Sequence, residues 1–135
     1  MSDWIPEEVR TEHRRLKALF ASTQEALRGD DAAEAIEAVT ALREALDVHF
    51  EQEDALYYPT ILALRPEHGE RLRACMDAHE EFRTRLVRLV ESTRTGPLEE
   101  ALRILDEIAE GFARHESAEE QVLAALEREA PTAVR

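Results

Sequence analysis

The chain has 135 residues, with 30 Asp and Glu against 17 Lys and Arg, a formal charge of −13, five His and one Cys. That length supports one domain with a single sizeable core, and a 44% hydrophobic share is too high for a disordered chain. The acidic balance excludes nucleic acid and disfavours anionic membranes as partners, and a lone cysteine, which makes no intramolecular disulfide, agrees with a cytoplasmic setting.

In chain order, the opening MSDWIPEEVR has no cationic stretch leading into an apolar one, so no signal peptide is expected. A first helix is predicted over 6–28, with Pro6 in its first turn and a seam of Val9, His13, Leu16, Phe20, Thr23 and Leu27. Gly29-Asp30-Asp31 stops it and supplies an N-cap for a second helix over 32–64. That helix has the seam Val39, Leu42, Leu46, His49, Glu53 and Leu56, and Pro59 should kink it or end it early. After the break at Arg65-Pro66-Glu67-His68-Gly69, a third helix over 67–94 aligns Leu72, Cys75, His79, Phe82, Leu86 and Leu89. Beyond Thr95-Gly96-Pro97, a fourth over 97–129 aligns Leu98, Ala101, Leu105, Ile108, Phe112, His115, Glu119, Val122 and Leu126, with Pro131 marking its end. No apolar run reaches the ~18–20 residues of a membrane span. Short connections between long helices predict an all-α, up-down-up-down antiparallel four-helix bundle forming a single domain over 1–135.

Four histidines and two glutamates thus occupy seam positions where aliphatic residues belong. Residues equidistant from a hairpin turn share a height. His13 and His49 average to 31, Glu53 and His79 to 66, and His79 and His115 to 97, each inside a turn. The trio His13, His49, Glu53 also recurs, shifted by 66, as His79, His115, Glu119. Each glutamate follows a histidine by four residues, on the same helical face. Buried carboxylates need a counter-charge, and no Lys or Arg lies on the seam at this level. Six such donors are too many for one tetrahedral zinc and suit a pair of carboxylate-bridged metals, with iron favoured over manganese by the histidine-rich set. A metal-free His–Glu network tying the helices together is the bland alternative. His68, in the second turn, is expected to be exposed.

The stretches Glu12-His13, His49-Phe50-Glu51-Gln52-Glu53-Asp54, His79-Glu80-Glu81-Phe82 and His115-Glu116-Ser117-Ala118-Glu119-Glu120 resemble the hemerythrin-like (HHE cation-binding) domain, from about Trp4 to Leu126. The resemblance implies two iron ions joined by carboxylates and an oxo or hydroxo bridge, with dioxygen as ligand. On that pattern His13 and His49 would bind one iron, His79 and His115 the other, and Glu53 and Glu119 would bridge. Some relatives place the last carboxylate at the position of Glu120, but Glu119 is preferred because it lies on the seam.

Oxygen-carrying hemerythrins have a fifth histidine where this chain has Cys75. Four imidazoles, two bridging carboxylates and one bridging oxygen leave two of twelve coordination positions open, unless Cys75, Tyr57 or Glu116 adds a ligand. Cys75 also reads as a packed core residue, Tyr57 as a packed aromatic and Glu116 as a solvated acid. Leu16, Phe20, Leu46, Phe82 and Phe112 should keep the site dry. The leading expectation is binding or sensing of dioxygen, or of another small diatomic or peroxide ligand. A peroxide- or nitric-oxide-consuming enzyme and iron buffering are the alternatives.

Overall fold

The computed structural model describes residues 4–129, and every element among them is helical. Helix α1 spans Trp4–Arg28 and α2 Ala32–Gln52; a π-helical turn over Glu53–Tyr57 leads into α3, Tyr58–Leu64. A 3-10 turn, Pro66–His68, precedes α4, Gly69–Thr95, and α5 covers Leu98–Glu129. α1 packs on α2 and α5, and α4 packs on the same two helices, giving a helical bundle. No described helix is long and apolar enough to cross a membrane. Pro131 lies outside the described residues.

The turns form where the sequence places them. Asp31 caps α2, its side chain accepting the backbone N–H of Glu34 at 3.1 Å, a contact worth about 1 kcal/mol. Pro97 lies just ahead of α5 and its carbonyl accepts from Glu100 and Ala101. One expectation is reversed here. His68 is 8% exposed, because the 3-10 turn folds its side chain inward instead of out.

The second helix departs from a continuous α-helix at Pro59. In an unbroken helix the proline ring would strike the carbonyl of Ala55 and leave that acceptor unpaired. The chain instead widens into a π-turn in which the Tyr58 N–H bonds the Glu53 carbonyl, five residues back. The expected kink is therefore an inserted residue. Within this turn and after it the side chains are rotated off the α-helical register, so Leu56, expected on the seam, is 47% exposed, whereas Tyr57 and Tyr58 are both buried.

Apolar burial falls into two clusters. One gathers Leu16, Phe20, Leu46, Phe50, Phe82, Leu86, Leu105 and Phe112 with their neighbours; the other gathers Ile5, Val9, Tyr57, Leu72, Cys75 and Val122 with theirs. Each fully buried Leu, Ile or Phe contributes about 1.5–3 kcal/mol. On α1, α4 and α5 the residues separating the clusters include His13, His79, and His115 with Glu119. The polar layer is thus clamped between two dry halves of the core.

Candidate metal centre

All six seam residues singled out in the sequence meet in this layer. His49, Glu53 and His79 are fully buried, Glu119 and His115 nearly so, and His13 half-buried. The donor atoms form two sets, His13, His49, Glu53, Glu119 and Glu53, His79, His115, Glu119, with the atoms of each set within 4.8 Å of one another. The carboxylates belong to both. Glu53 turns Oε2 to His49 Nε2 at 3.1 Å and Oε1 to His79 Nε2 at 2.9 Å. Glu119 turns Oε1 to His13 Nε2 at 2.9 Å and Oε2 to His115 Nε2 at 3.3 Å.

These short distances are not hydrogen bonds in the first set. His13 Nε2, His49 Nε2, Glu53 Oε2 and Glu119 Oε1 are all buried and all without a hydrogen-bond partner. Native interiors leave few polar atoms so placed, and four at one point are costly unless a cation joins them. Imidazole nitrogens and carboxylate oxygens are donors that iron accepts, so the residues present fit such a group.

In the second set a phenol takes part. Tyr58 Oη lies 3.1 Å from Glu53 Oε1 and 3.4 Å from His79 Nε2, and its hydroxyl donates to Glu119 Oε2. Burial, followed by the charges of Glu119 and Glu53, raises its pKa far above that of a free tyrosine, so the phenol keeps its proton. Tyr57, the aromatic expected near the site, instead packs edge-on against Trp4 at 5.8 Å. The π-turn makes the exchange, since the hydroxyl of the residue five after Glu53 reaches the polar layer while the residue four after is buried in the neighbouring apolar cluster. Pro59 was the available signal, for a proline inside a helix can force such an insertion.

The outer edges of the imidazoles meet acids. His79 Nδ1 lies 2.9 Å from Asp54 Oδ1, and Arg83 holds the other Asp54 oxygen at 3.3 Å. With the Nδ1 proton donated to Asp54, the Nε2 lone pair faces the layer, the tautomer that metal binding needs. Glu12 Oε1 stands 3.8 Å from His49 Nδ1 and Glu116 Oε2 3.7 Å from His13 Nδ1. Glu116 is half-buried, and desolvation raises its pKa. Glu120 is on the outer surface, bound to Arg10 at 2.6 Å, so Glu119 alone of the two enters the layer.

Charge inside the layer is balanced by proton sharing. Burial would raise Glu53, but the imidazoles of His115, His49 and His79 beside it hold it well below the usual carboxylate range. Burial would lower His115, yet Glu119 and Glu53 outweigh it and push the ring up to about 9. Cys75 lies outside both donor sets; burial, with Glu119 adding, pushes its thiol up to about 12. Phe50 stacks on His79 at 4.4 Å and on Phe82 at 5.7 Å, and Phe112 packs edge-on to His13, so aromatic rings wall the layer on one side.

Residues 5–126 match the family model described as the Hemerythrin HHE cation binding domain. No curated protein and no solved structure matches the chain.

Proposed function

The chain belongs to the hemerythrin HHE cation-binding family, and on that premise we propose that it is a non-haem di-iron protein that binds dioxygen or a related small oxidant. It would do so as a single cytoplasmic domain of four up-down-up-down helices. His13 and His49 would hold one iron and His79 and His115 the other, with Glu53 and Glu119 bridging beside an oxo or hydroxo group. Bound iron would supply a redox-active centre with positions open to a small ligand. The observation that carries this reading is the convergence of four buried donor atoms, from His13, His49, Glu53 and Glu119, that have no hydrogen bond.

The remaining residues do recognisable work around that centre. Asp54, steadied by Arg83, orients His79. Phe50, Phe82 and Phe112 exclude bulk water, which limits proton leakage to a bound oxidant. Tyr58 holds a proton at Oη between two carboxylates, within reach of both donor sets. That proton favours a second reading, an enzyme that reduces nitric oxide or breaks down peroxide, because reducing either ligand consumes protons.

Anaerobic loading with Fe(II), a count of iron per chain, and absorption spectra before and after air discriminate these readings. Two irons and a spectrum that reverses when oxygen is removed support binding. Irreversible oxidation with rapid loss of added peroxide or nitric oxide supports the enzyme. Absence of iron uptake, together with unchanged folding of His49→Ala, would sink both.

A further inference from the structure

Three of the four inward-facing imidazoles have a carboxylate near the outer nitrogen: Asp54 hydrogen-bonded to His79 at 2.9 Å, Glu116 3.7 Å from His13 and Glu12 3.8 Å from His49. The fourth differs. Among the described residues no acid and no hydrogen-bond partner faces Nδ1 of His115, although the residue is only 6% exposed. His115 instead lines a groove of about 390 Å³ between α4 and α5, and Cys75 lines it too.

The groove exists because small residues border it, and its charge is opposite to that of the chain. A Cβ at Gly111 would stand 3.3 Å from the Phe82 ring, 3.6 Å from Arg85 Nη1 and 3.8 Å from Arg114 Nη2. Two guanidiniums therefore converge over the bare Cα of Gly111, and Arg71 adds a third to the lining. Glu81, 3.1 Å from Arg85, is the acid among the lining residues; Arg71 and Arg114 form no ion pair with any described residue. In a chain with a formal charge of −13, this is a local excess of positive charge.

We propose that this groove binds a small carboxylate or inorganic oxyanion, held by Arg85 and Arg114 above Gly111 with His115 as its floor. An exchangeable anion then stands where the other three imidazoles have a built-in acid. Guanidinium forks match the geometry of carboxylates and oxyanions, and a walled groove concentrates such ions relative to bulk water. The inference does not depend on iron being bound.

Cys75 makes it testable, because the chain has one cysteine and that cysteine lines the groove. The rates at which iodoacetate and iodoacetamide alkylate the protein as purified are followed by intact mass, before and after chelation. Both reagents attack the same thiolate, so the ratio of their rates cancels its unfavourable ionisation. The ratio is expected to be about tenfold higher in the folded protein than in the urea-unfolded chain. Acetate at constant ionic strength should slow iodoacetate more than iodoacetamide. Arg114→Glu, an exposed substitution, should return the ratio to the unfolded value or below. A folded ratio equal to that of the unfolded chain, or one indifferent to Arg114→Glu, overturns the proposal whether or not the centre takes up iron.

Discussion

Replacing Glu53 by Gln exchanges one oxygen for an amide nitrogen and removes one buried charge with little change of shape. Glu53 is fully buried, with His79 at 2.9 Å, His49 at 3.1 Å and Tyr58 at 3.1 Å. An amide cannot present an oxygen to both sides, and His115 loses one of the two carboxylates, Glu119 and Glu53, that raise its pKa. Breaking a buried charge cluster in this way costs about 3–5 kcal/mol. For a domain of this size that lowers the melting midpoint of the metal-free protein by about 10–15 °C. The effect on metal is more specific, because Glu53 belongs to both donor sets. Iron content after anaerobic loading and desalting should fall from two per chain to one or none. Glu120→Gln is the matched control, the same chemistry on an exposed residue paired with Arg10, and should cost less than about 1 kcal/mol with full iron uptake. If Glu53→Gln takes up as much iron as the parent and melts like Glu120→Gln, the layer is not a metal centre and its carboxylates do not hold it together.

Tyr58→Phe should destabilise the metal-free protein by about 1–3 kcal/mol, because two buried carboxylates lose a donor, whereas Tyr57→Phe should be nearly neutral. In the iron-loaded protein any phenolate absorption band should vanish in Tyr58→Phe and persist in Tyr57→Phe; the opposite pattern would place the wrong tyrosine in the layer. The metal-free protein should lose stability in both pH directions. His115, raised to about 9, contributes stability that is complete below its unfolded value near 6.5 and lost as pH rises through 9, while Glu53, held low, contributes stability present above about 4.5 and lost on acidification. Denaturation midpoints across that range should show the alkaline loss for chelated protein and not for iron-loaded protein, whose imidazoles are already unprotonated. Arg10→Ala removes a clamp from α1 to Glu120 and Glu127 on α5, at 2.6 Å each, and should lower the melting midpoint slightly. Because the pair is exposed, the difference should disappear in high salt, which a melting series at rising salt measures.

The helices and the polar layer are legible in the sequence because both are periodic. His13, His49, His79 and His115 continue seams that would otherwise be leucine, and hairpin arithmetic puts them at one height. What the periodic reading could not supply is whatever breaks the period. Pro59 announces a disturbance without saying whether the helix bends, stops or gains a residue. Only the π-turn decides that Leu56 leaves the seam and that Tyr58 displaces Tyr57. Asp54 and Glu12 were hidden for a different reason. Each lies next in the chain to a seam residue, on the helix flank, where acids are abundant and most are merely solvated. Their distances to imidazole nitrogens are tertiary facts. The exposure expected of His68 failed because a turn was equated with a surface, whereas a 3-10 turn can direct one of its three side chains inward.

The position of the layer between two apolar clusters links stability to metal. Each of the four partnerless donor atoms in the first set carries a desolvation cost of about 1–3 kcal/mol when nothing binds them. A folded domain has only about 5–15 kcal/mol of net stability, so that cost is a large share of it. The two clusters must therefore hold the layer closed, which explains why Phe50, Phe82 and Phe112 press directly on the imidazoles instead of leaving room for water. A cation that satisfies the four atoms returns their cost, and anything that binds only the folded chain stabilises it in proportion to the logarithm of its concentration. The second set behaves differently, since Tyr58 already satisfies part of it with a hydrogen bond. Metal arriving there must displace a proton or move the phenol. The first set, with His13 and His49, should consequently fill before the second, and stepwise loading monitored by melting would show the larger gain at the first equivalent.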